Sequence, residues 1–400
     1  MDLEFFPSSP KGKVKAPASK SMAHRLLICS ALAKGESVVS GVEYSEDILA
    51  TLDCVEALGA KVIKDGGTVY INGIEKMNSH VRLNCRESGS TLRFLLPVSV
   101  TSENSVSFFG EGKLMQRPMG EYEKLLPAHG VEFKMESDHF SVKGKLESGE
   151  YILDGSVSSQ FVSGLLFSLP LIENNSSIVL ENAVESRPYI DLTLSALEKF
   201  GVEARWKNEN SLFVKGNGRY ISGEHTVEGD YSNAAFFFAL GEDVEVTGLD
   251  ENSLQGDRVF IKLLDRIKRG KMATDISDCP DLGPILFVTS AMNHGAVFTG
   301  TRRLKDKESD RLGCMKKELE KCGAEMIIKE NEVEVLPSEL RSPDEPIFCH
   351  NDHRIAMAMS VLLSKTGGRI TGCECVKKSM PDFFDRLKQL NVRFEEYETR

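Results

Sequence analysis

The feature that most constrains this chain is a repeat. Gly59, Gly130 and Gly201 stand 71 residues apart, and Gly323 continues the series. Each follows an amphipathic stretch and precedes two short β-rich runs, as in LGAKVIKDGGTVYING and FGVEARWKNENSLFVKG. A glycine just past a helix accommodates the left-handed backbone that ends it, so the spacing predicts a helix, a glycine turn and a hairpin each time. LNVRFEEYETR has the same form, with Asn391 in the place of the glycine. A second, independent marker is a short polar cluster opening an apolar helix, at Ser19, Ser88, Ser158, Ser232, Asp281 and Asp352, with gaps of 69, 70, 74, 49 and 71. Six units of about seventy residues, one of them trimmed, cover nearly the whole chain. Within a unit the order is strand, polar-capped helix, strand, second helix, hairpin, which is a mixed α/β repeat.

A chain of 400 residues exceeds what one hydrophobic core organises, so six units divide into two domains of three. Pro17 marks one junction, and the Gly-rich stretch 216–230 predicts a hinge at the other. The strand before Pro17 is expected to join the C-terminal units. With 49 basic and 60 acidic residues, a net charge of −11 and one Trp, the chain is a poor match for nucleic acid or anionic lipid. Any anionic ligand must be caught by a few placed cations. Nine cysteines, an odd number with no C-x-x-C pair, read as reduced thiols. Cys373 and Cys375 are the only close pair and supply too few ligands for zinc, so no metal site is expected. The opening residues lack the order of a signal or transit peptide, and no apolar run approaches the roughly 20 residues of a membrane span. These observations predict a soluble, cytoplasmic protein.

A helix N-terminus exposes unpaired N–H groups and favours phosphate or carboxylate, although Ser, Asp and Asn there also serve as ordinary caps. Several clusters carry more than capping needs. Lys20 sits in a first helical turn, where the helix dipole disfavours a cation, with Ser21 and Arg25 four apart behind it. Gly89 in Glu87-Ser88-Gly89-Ser90 permits close backbone approach, with Arg93 one turn on. Ser156, Ser158, Ser159 and Gln160 line another start as donors without an activating base. Lys305–Leu312 is expected to begin a helix with Lys307 and Arg311 four apart and Glu308 beside both. That arrangement is either a solvated charged face or a carboxylate held among cations for proton transfer. Arg117, Arg354 and Lys378 are further isolated cations. There is no P-loop, dinucleotide fingerprint, H-E-x-x-H, EF-hand loop or G-x-S-x-G elbow, so metal-free recognition of anions by Arg, Lys and helix dipoles remains.

Nine segments in register, PASKSMAHR, ESGSTLRFL, QRPM, DGSVSSQF, ESRPYIDLTL, CPDLGP, KDKESDRL, NDHRIAMA and KSMPDFFDRL, resemble the 5-enolpyruvylshikimate-3-phosphate synthase family of enolpyruvyl transferases. The resemblance implies a two-domain inside-out α/β barrel of six βαβαββ units. One domain spans 17–229 and the other 1–16 plus 230–400, with the active site in the cleft between them. It implies transfer of the enolpyruvyl group of phosphoenolpyruvate to the 5-hydroxyl of shikimate 3-phosphate through a tetrahedral intermediate, with no cofactor and no metal.

Carried over by motif, Lys20 resembles the lysine shared by both substrates. Ser21, Arg25, Ser158, Ser159, Gln160, Ser186, Tyr189, Asp281 and Lys307 fall on the shikimate 3-phosphate side. Gly89, Arg117, Gln160, Glu308, Arg311, Arg354 and Lys378 fall on the phosphoenolpyruvate side. Asp281, Glu308 and Lys20 are the proton-transfer candidates: Asp281 for the hydroxyl, Glu308 for C3. The resemblance also implies a cytoplasmic monomer and a target of glyphosate. Two departures stand out. Many members have Asn-Ala-Gly-Thr where Glu87-Ser88-Gly89-Ser90 stands here, and some have Asn where Arg303 stands. The related UDP-N-acetylglucosamine enolpyruvyl transferases carry a loop cysteine that Gly110–Met119 lacks. A silent scaffold that kept the fold would have shed Lys20, Asp281, Glu308 or Arg354, and all four are present.

Overall fold

The computed structural model of the chain describes residues 1–397. They divide into two compact units, Ala18–Glu228 on one hand and Met1–Pro17 with the chain from Gly229 onward on the other.

The Ala18–Glu228 unit repeats one four-stranded motif three times. In the middle copy Val81–Asn84 runs parallel to Asn104–Phe109, and the hairpin of Val131–Met135 and His139–Gly144 extends the sheet antiparallel beyond it. Parallel neighbours need a crossover, which the Gly89–Val98 helix provides, and the Gly120–Ala128 helix leads into the hairpin. The copy at Glu150–Val214 has the same order. The first copy borrows its leading strand from the far end of the unit, since Glu224–Thr226 lies parallel to Glu36–Ser40. The expected hinge at 216–230 is therefore largely structured. Tyr220–Ile221 pairs with Ala33–Lys34, and the buried Tyr220 hydroxyl donates to the Phe167 carbonyl at 2.8 Å. Its glycines reflect close packing: a Cβ on Gly216 would fall 2.1 Å from the Asn174 carbonyl oxygen.

The other unit holds one complete copy, with Met272–Asp275 parallel to Ala296–Thr299 and the hairpin Met326–Ile328 and Glu332–Val335. A trimmed copy pairs Gly12–Lys15 in parallel with Val244–Thr247 and, among the described residues, has no hairpin, which accounts for the short gap in the spacing. In the last copy Leu3–Phe6 inserts antiparallel between Gly368–Thr371 and Arg393–Glu396, taking the position a hairpin strand has elsewhere.

The repeat glycines do what their spacing required. Gly59, Gly130, Gly201 and Gly323 have φ of +121°, +82°, +72° and +85°, each just after a helix, and Asn391 follows with +64°. The helices that open with polar clusters are buried on every side and run through the interior: every residue from Met22 to Ala31 and from His353 to Ser364 is buried. The second helices keep one wet face, so Phe260–Arg269 buries only Phe260, Leu263, Leu264 and Ile267. Within the last inner helix the buried hydroxyls of Ser360 and Ser364 bond back along their own turns, to Ala356 O and Val361 O at 2.7 Å each.

Ser19, Ser88, Ser158 and Asp352 accept N-cap bonds from Met22, Thr91, Gln160 and Arg354 N–H, each worth about 1 kcal/mol. Two clusters behave differently. Asp230 rather than Ser232 caps Tyr231–Phe238, and Asp281 caps nothing, lying in a 3₁₀ turn before Gly283–Ala291.

Candidate active site

In the Ala18–Glu228 unit four helix starts carry polar groups that meet. Arg25, one turn into Lys20–Leu32, donates to Ser21 O at 2.6 Å, Tyr189 O at 2.8 Å and Thr193 Oγ1 at 2.9 Å, and lies over the Phe94 ring. Burial lowers its guanidinium to about 10, so it stays charged at neutral pH. Tyr189 and Thr193 belong to Arg187–Lys199, whose preceding residue Ser186 is buried in a left-handed conformation. Gln160, in the first turn of Ser159–Ser168, accepts from Arg93 at 2.8 Å and donates to Ser90 Oγ at 2.9 Å. Ser158 bonds to the same amide. Gly89 closes this group, because a Cβ there would sit 2.6 Å from Arg117 Nη1 and 3.5 Å from Gln160 Oε1. The absence of a side chain at position 89 thus lets the Arg117 guanidinium lie against the helix start.

A buried chain of short hydrogen bonds sets these helices against one another. His24 Nδ1 meets Thr51 Oγ1 at 2.7 Å, Thr51 meets Thr91 at 2.7 Å, and Thr91 meets Ser88 Oγ at 2.8 Å. Burial, with Lys20 and Arg25 close by, holds the His24 imidazole well below its usual pKa. The sign follows directly. The unfolded chain takes up a proton as pH falls through about 6.5 and the folded chain does not, so stability is full above that pH and declines below it by up to about 1.4 kcal/mol per pH unit. Denaturant titrations between pH 7.5 and 5.5 should show this decline, and His24→Gln should flatten it. An equally steep decline in His24→Gln would remove His24 as its source.

In the other unit the charges converge on one guanidinium. Arg311 is buried and donates to Asp281 at 2.9 Å, to Glu308 at 2.6 Å and to Asp352 at 2.9 Å. Burial alone would lower its pKa, but the carboxylates of Asp352, Glu308 and Asp281 outweigh this and hold it above the usual arginine value. Asp281 also receives Lys307 at 3.3 Å and Arg354 at 3.4 Å. Burial lowers the Lys307 ammonium, against the pull of Asp281. Arg354 is fixed by Ser232 Oγ at 2.8 Å and Asn233 Oδ1 at 3.2 Å. Lys378, at the end of the 3₁₀ turn Cys373–Lys378, donates to Asn351 O at 2.7 Å.

The helix expected from Lys305 begins only at Arg311, capped by Asp310, because Arg302–Asp306 is a separate 3₁₀ turn. Lys307 and Glu308 precede the helix, so the carboxylate of Asp281 rather than helical spacing joins Lys307 to Arg311. Lys20 is likewise paired within the chain, with Asp47 at 2.8 Å. Asp47, Arg93, Thr193, Asn233 and Asp352 are members the sequence reasoning left out of the site. Arg93, Asn233 and Asp352 stood in the recurring clusters, whereas Asp47 and Thr193 become neighbours only through the fold. Among the described residues no group of three or more His, Cys, Asp or Glu could hold a metal ion, and no helix is long and apolar enough to cross a membrane.

Repeated α/β units whose buried helix starts gather arginine, lysine, serine and carboxylate groups define a protein built to handle small anionic molecules. The sequence model of EPSP synthase (3-phosphoshikimate 1-carboxyvinyltransferase) matches residues 7–387, and the chain belongs to this family. It is 39% identical to the 3-phosphoshikimate 1-carboxyvinyltransferase of Clostridium perfringens (strain SM101 / Type A), over 96% of this chain and 97% of that one. It is 38% identical to the protein of the same name from Clostridium beijerinckii, over 99% of each. The fold is also that of EPSP synthase from Acinetobacter baumannii, with a TM-score of 0.81 at 23% identity, over 98% of this chain and 99% of that one.

Proposed function

We propose that the chain transfers the enolpyruvyl group of phosphoenolpyruvate to the 5-hydroxyl of shikimate 3-phosphate, releasing phosphate, in the biosynthesis of chorismate and the aromatic amino acids. The observation that carries the reading is the Asp281 carboxylate, held by Lys307, Arg311 and Arg354 with Glu308 on the same guanidinium. Two carboxylates, one of them able to serve as a base, among cations suited to phosphate and carboxylate support this reading. On this reading Lys20 serves both substrates. Ser21, Arg25, Ser158, Ser159, Gln160, Ser186, Tyr189 and Lys307 take up shikimate 3-phosphate. Gly89, Arg117, Gln160, Arg311, Arg354 and Lys378 take up phosphoenolpyruvate.

Asp281 accepts the 5-hydroxyl proton as that oxygen bonds to C2, and Glu308, entering the step as the protonated acid, delivers its proton to C3, giving the tetrahedral intermediate. Glu308 then takes a proton back from C3 as the C2–O bond to phosphate breaks and the double bond returns, and the proton held by Asp281 leaves with the phosphate. Arginine suits these positions because its fork binds carboxylate or phosphate through two parallel bonds, which a lysine cannot match. The protein acts as a cytoplasmic monomer, and glyphosate competes where phosphoenolpyruvate binds beside Gly89.

The test is phosphate release with both substrates and with each omitted in turn. Release should require the two together. Release from phosphoenolpyruvate alone, or no release with both, would contradict the reading.

A further inference from the structure

We propose that Glu318 is a positioning residue for phosphoenolpyruvate binding, acting through His350 and the backbone of the turn Phe348–Asp352. The inference rests on the assignment of Arg311, Arg354 and Lys378 to that substrate.

Glu318 lies on the Arg311–Lys321 helix, seven residues after Arg311, so two turns and about 10 Å of helix separate them on nearly the same face. Its carboxylate is fully buried and spans three partners: His350 Nε2 at 2.7 Å, Lys321 Nζ at 2.6 Å and Phe348 N–H at 3.0 Å. Lys321 also ties down Pro346 O at 2.9 Å, so the carboxylate and its lysine grip the chain on both sides of the strand Ile347–Phe348.

The turn so held is an improbable one. His350 and Asn351 both have left-handed backbones, with φ of +53° and +54°, a conformation rarely adopted by two consecutive residues that are not glycine. Such a turn persists only where its surroundings over-determine it. Within it lie the anchors of three site cations. Asn351 O accepts Lys378, the Asp352 carboxylate binds Arg311, and the same carboxylate caps the helix that begins His353-Arg354. Glu318 itself touches none of the three.

Groups facing the His350 imidazole support the same arrangement. Cys314 and Glu318, one turn apart on the helix, flank it, and Lys321 shares the Glu318 carboxylate. Hydrogen bonds to the Cys314 and Glu318 side chains raise the imidazole to about 9, so it is a cation at neutral pH. The ion pair stabilises the fold fully below about 6.5, the ordinary histidine pKa, and loses that contribution as pH rises through about 9.

The experiment compares wild type, Glu318→Gln and His350→Asn by steady-state kinetics across pH. Glutamine keeps an acceptor for Phe348 N–H but removes the charge, and asparagine tolerates the left-handed backbone while losing the ring. Both variants should raise KM for phosphoenolpyruvate about tenfold, with kcat and the KM for shikimate 3-phosphate within about threefold. Wild-type kcat/KM for phosphoenolpyruvate should have an alkaline limb near pH 9 that moves toward neutrality in Glu318→Gln and vanishes in His350→Asn. Folded variants with KM for phosphoenolpyruvate within twofold of wild type, or with both KM values raised alike, would overturn the inference. A wild-type chain that releases no phosphate from the two substrates would instead sink the functional reading. NMR titration of the His350 ring then still reads the Glu318 contact, and a ring pKa unchanged in Glu318→Gln counts against the inference by itself.

Discussion

Asp281→Asn should lower kcat about a thousandfold while changing either KM by less than about fivefold. Three carboxylates share Arg311, yet they are not equally reachable. The Asp352 side chain is 0% exposed, Glu308 15% and Asp281 25%, and the Asp281 carboxylate also meets the Lys307 and Arg354 side chains. On the proposed function, Asp281 is therefore the carboxylate assigned to accept a proton from the substrate hydroxyl. Asparagine keeps its shape and one acceptor oxygen but cannot act as a base. General-base removal typically costs a hundred to ten thousandfold in rate, far more than the loss of one hydrogen bond costs in binding. Steady-state kinetics on purified Asp281→Asn check this, and a kcat within tenfold of wild type would take Asp281 out of the proton transfer.

The second large effect falls on stability. Arg311→Met should destabilise its unit by about 3–5 kcal/mol, because it leaves Asp352 as a fully buried charge without a cation and Glu308 without its closest partner. Replacing a buried ion pair as a whole is often neutral, but removing one partner is not. The single Trp, at position 206, lies in the Ala18–Glu228 unit and so reports on the unit that does not contain the change. In urea, far-ultraviolet circular dichroism of the variant should show an early phase that Trp206 fluorescence does not follow. One coincident transition at the wild-type midpoint would mean that the buried carboxylates do not depend on Arg311.

Much of the architecture was legible because the fold repeats and each repeat leaves the same two marks. A helix end that needs a left-handed residue writes a glycine, and a buried helix start that needs capping writes a polar cluster before an apolar run. The segment 216–230 misled because glycine serves both mobility and close approach, and only the Asn174 carbonyl facing Gly216 distinguishes them. Among the candidate residues, those at helix starts could be read from local text. Their counter-charges could not. A cation in a first helical turn implies some anion, but nothing near Lys20 says that Asp47 supplies it, or that Asp281 and Asp352 compensate Arg311. Glu318 stood in an ordinary charged helical surface pattern, and its burial follows from a turn 30 residues further on.

The strand Leu3–Phe6 has a consequence for how the chain is made. It leaves the ribosome well before its two neighbours, Gly368–Thr371 and Arg393–Glu396. The Ala18–Glu228 unit contains all of its own strands and can close during synthesis. The Leu3–Phe6 strand must wait while the residues between it and its neighbours are translated, roughly twenty to eighty seconds at about 5–20 residues per second, with Leu3 and Phe5 uncovered. Vectorial synthesis thus sets an order of assembly in which Leu3–Phe6 finds its place only after the far later strands that flank it have been made.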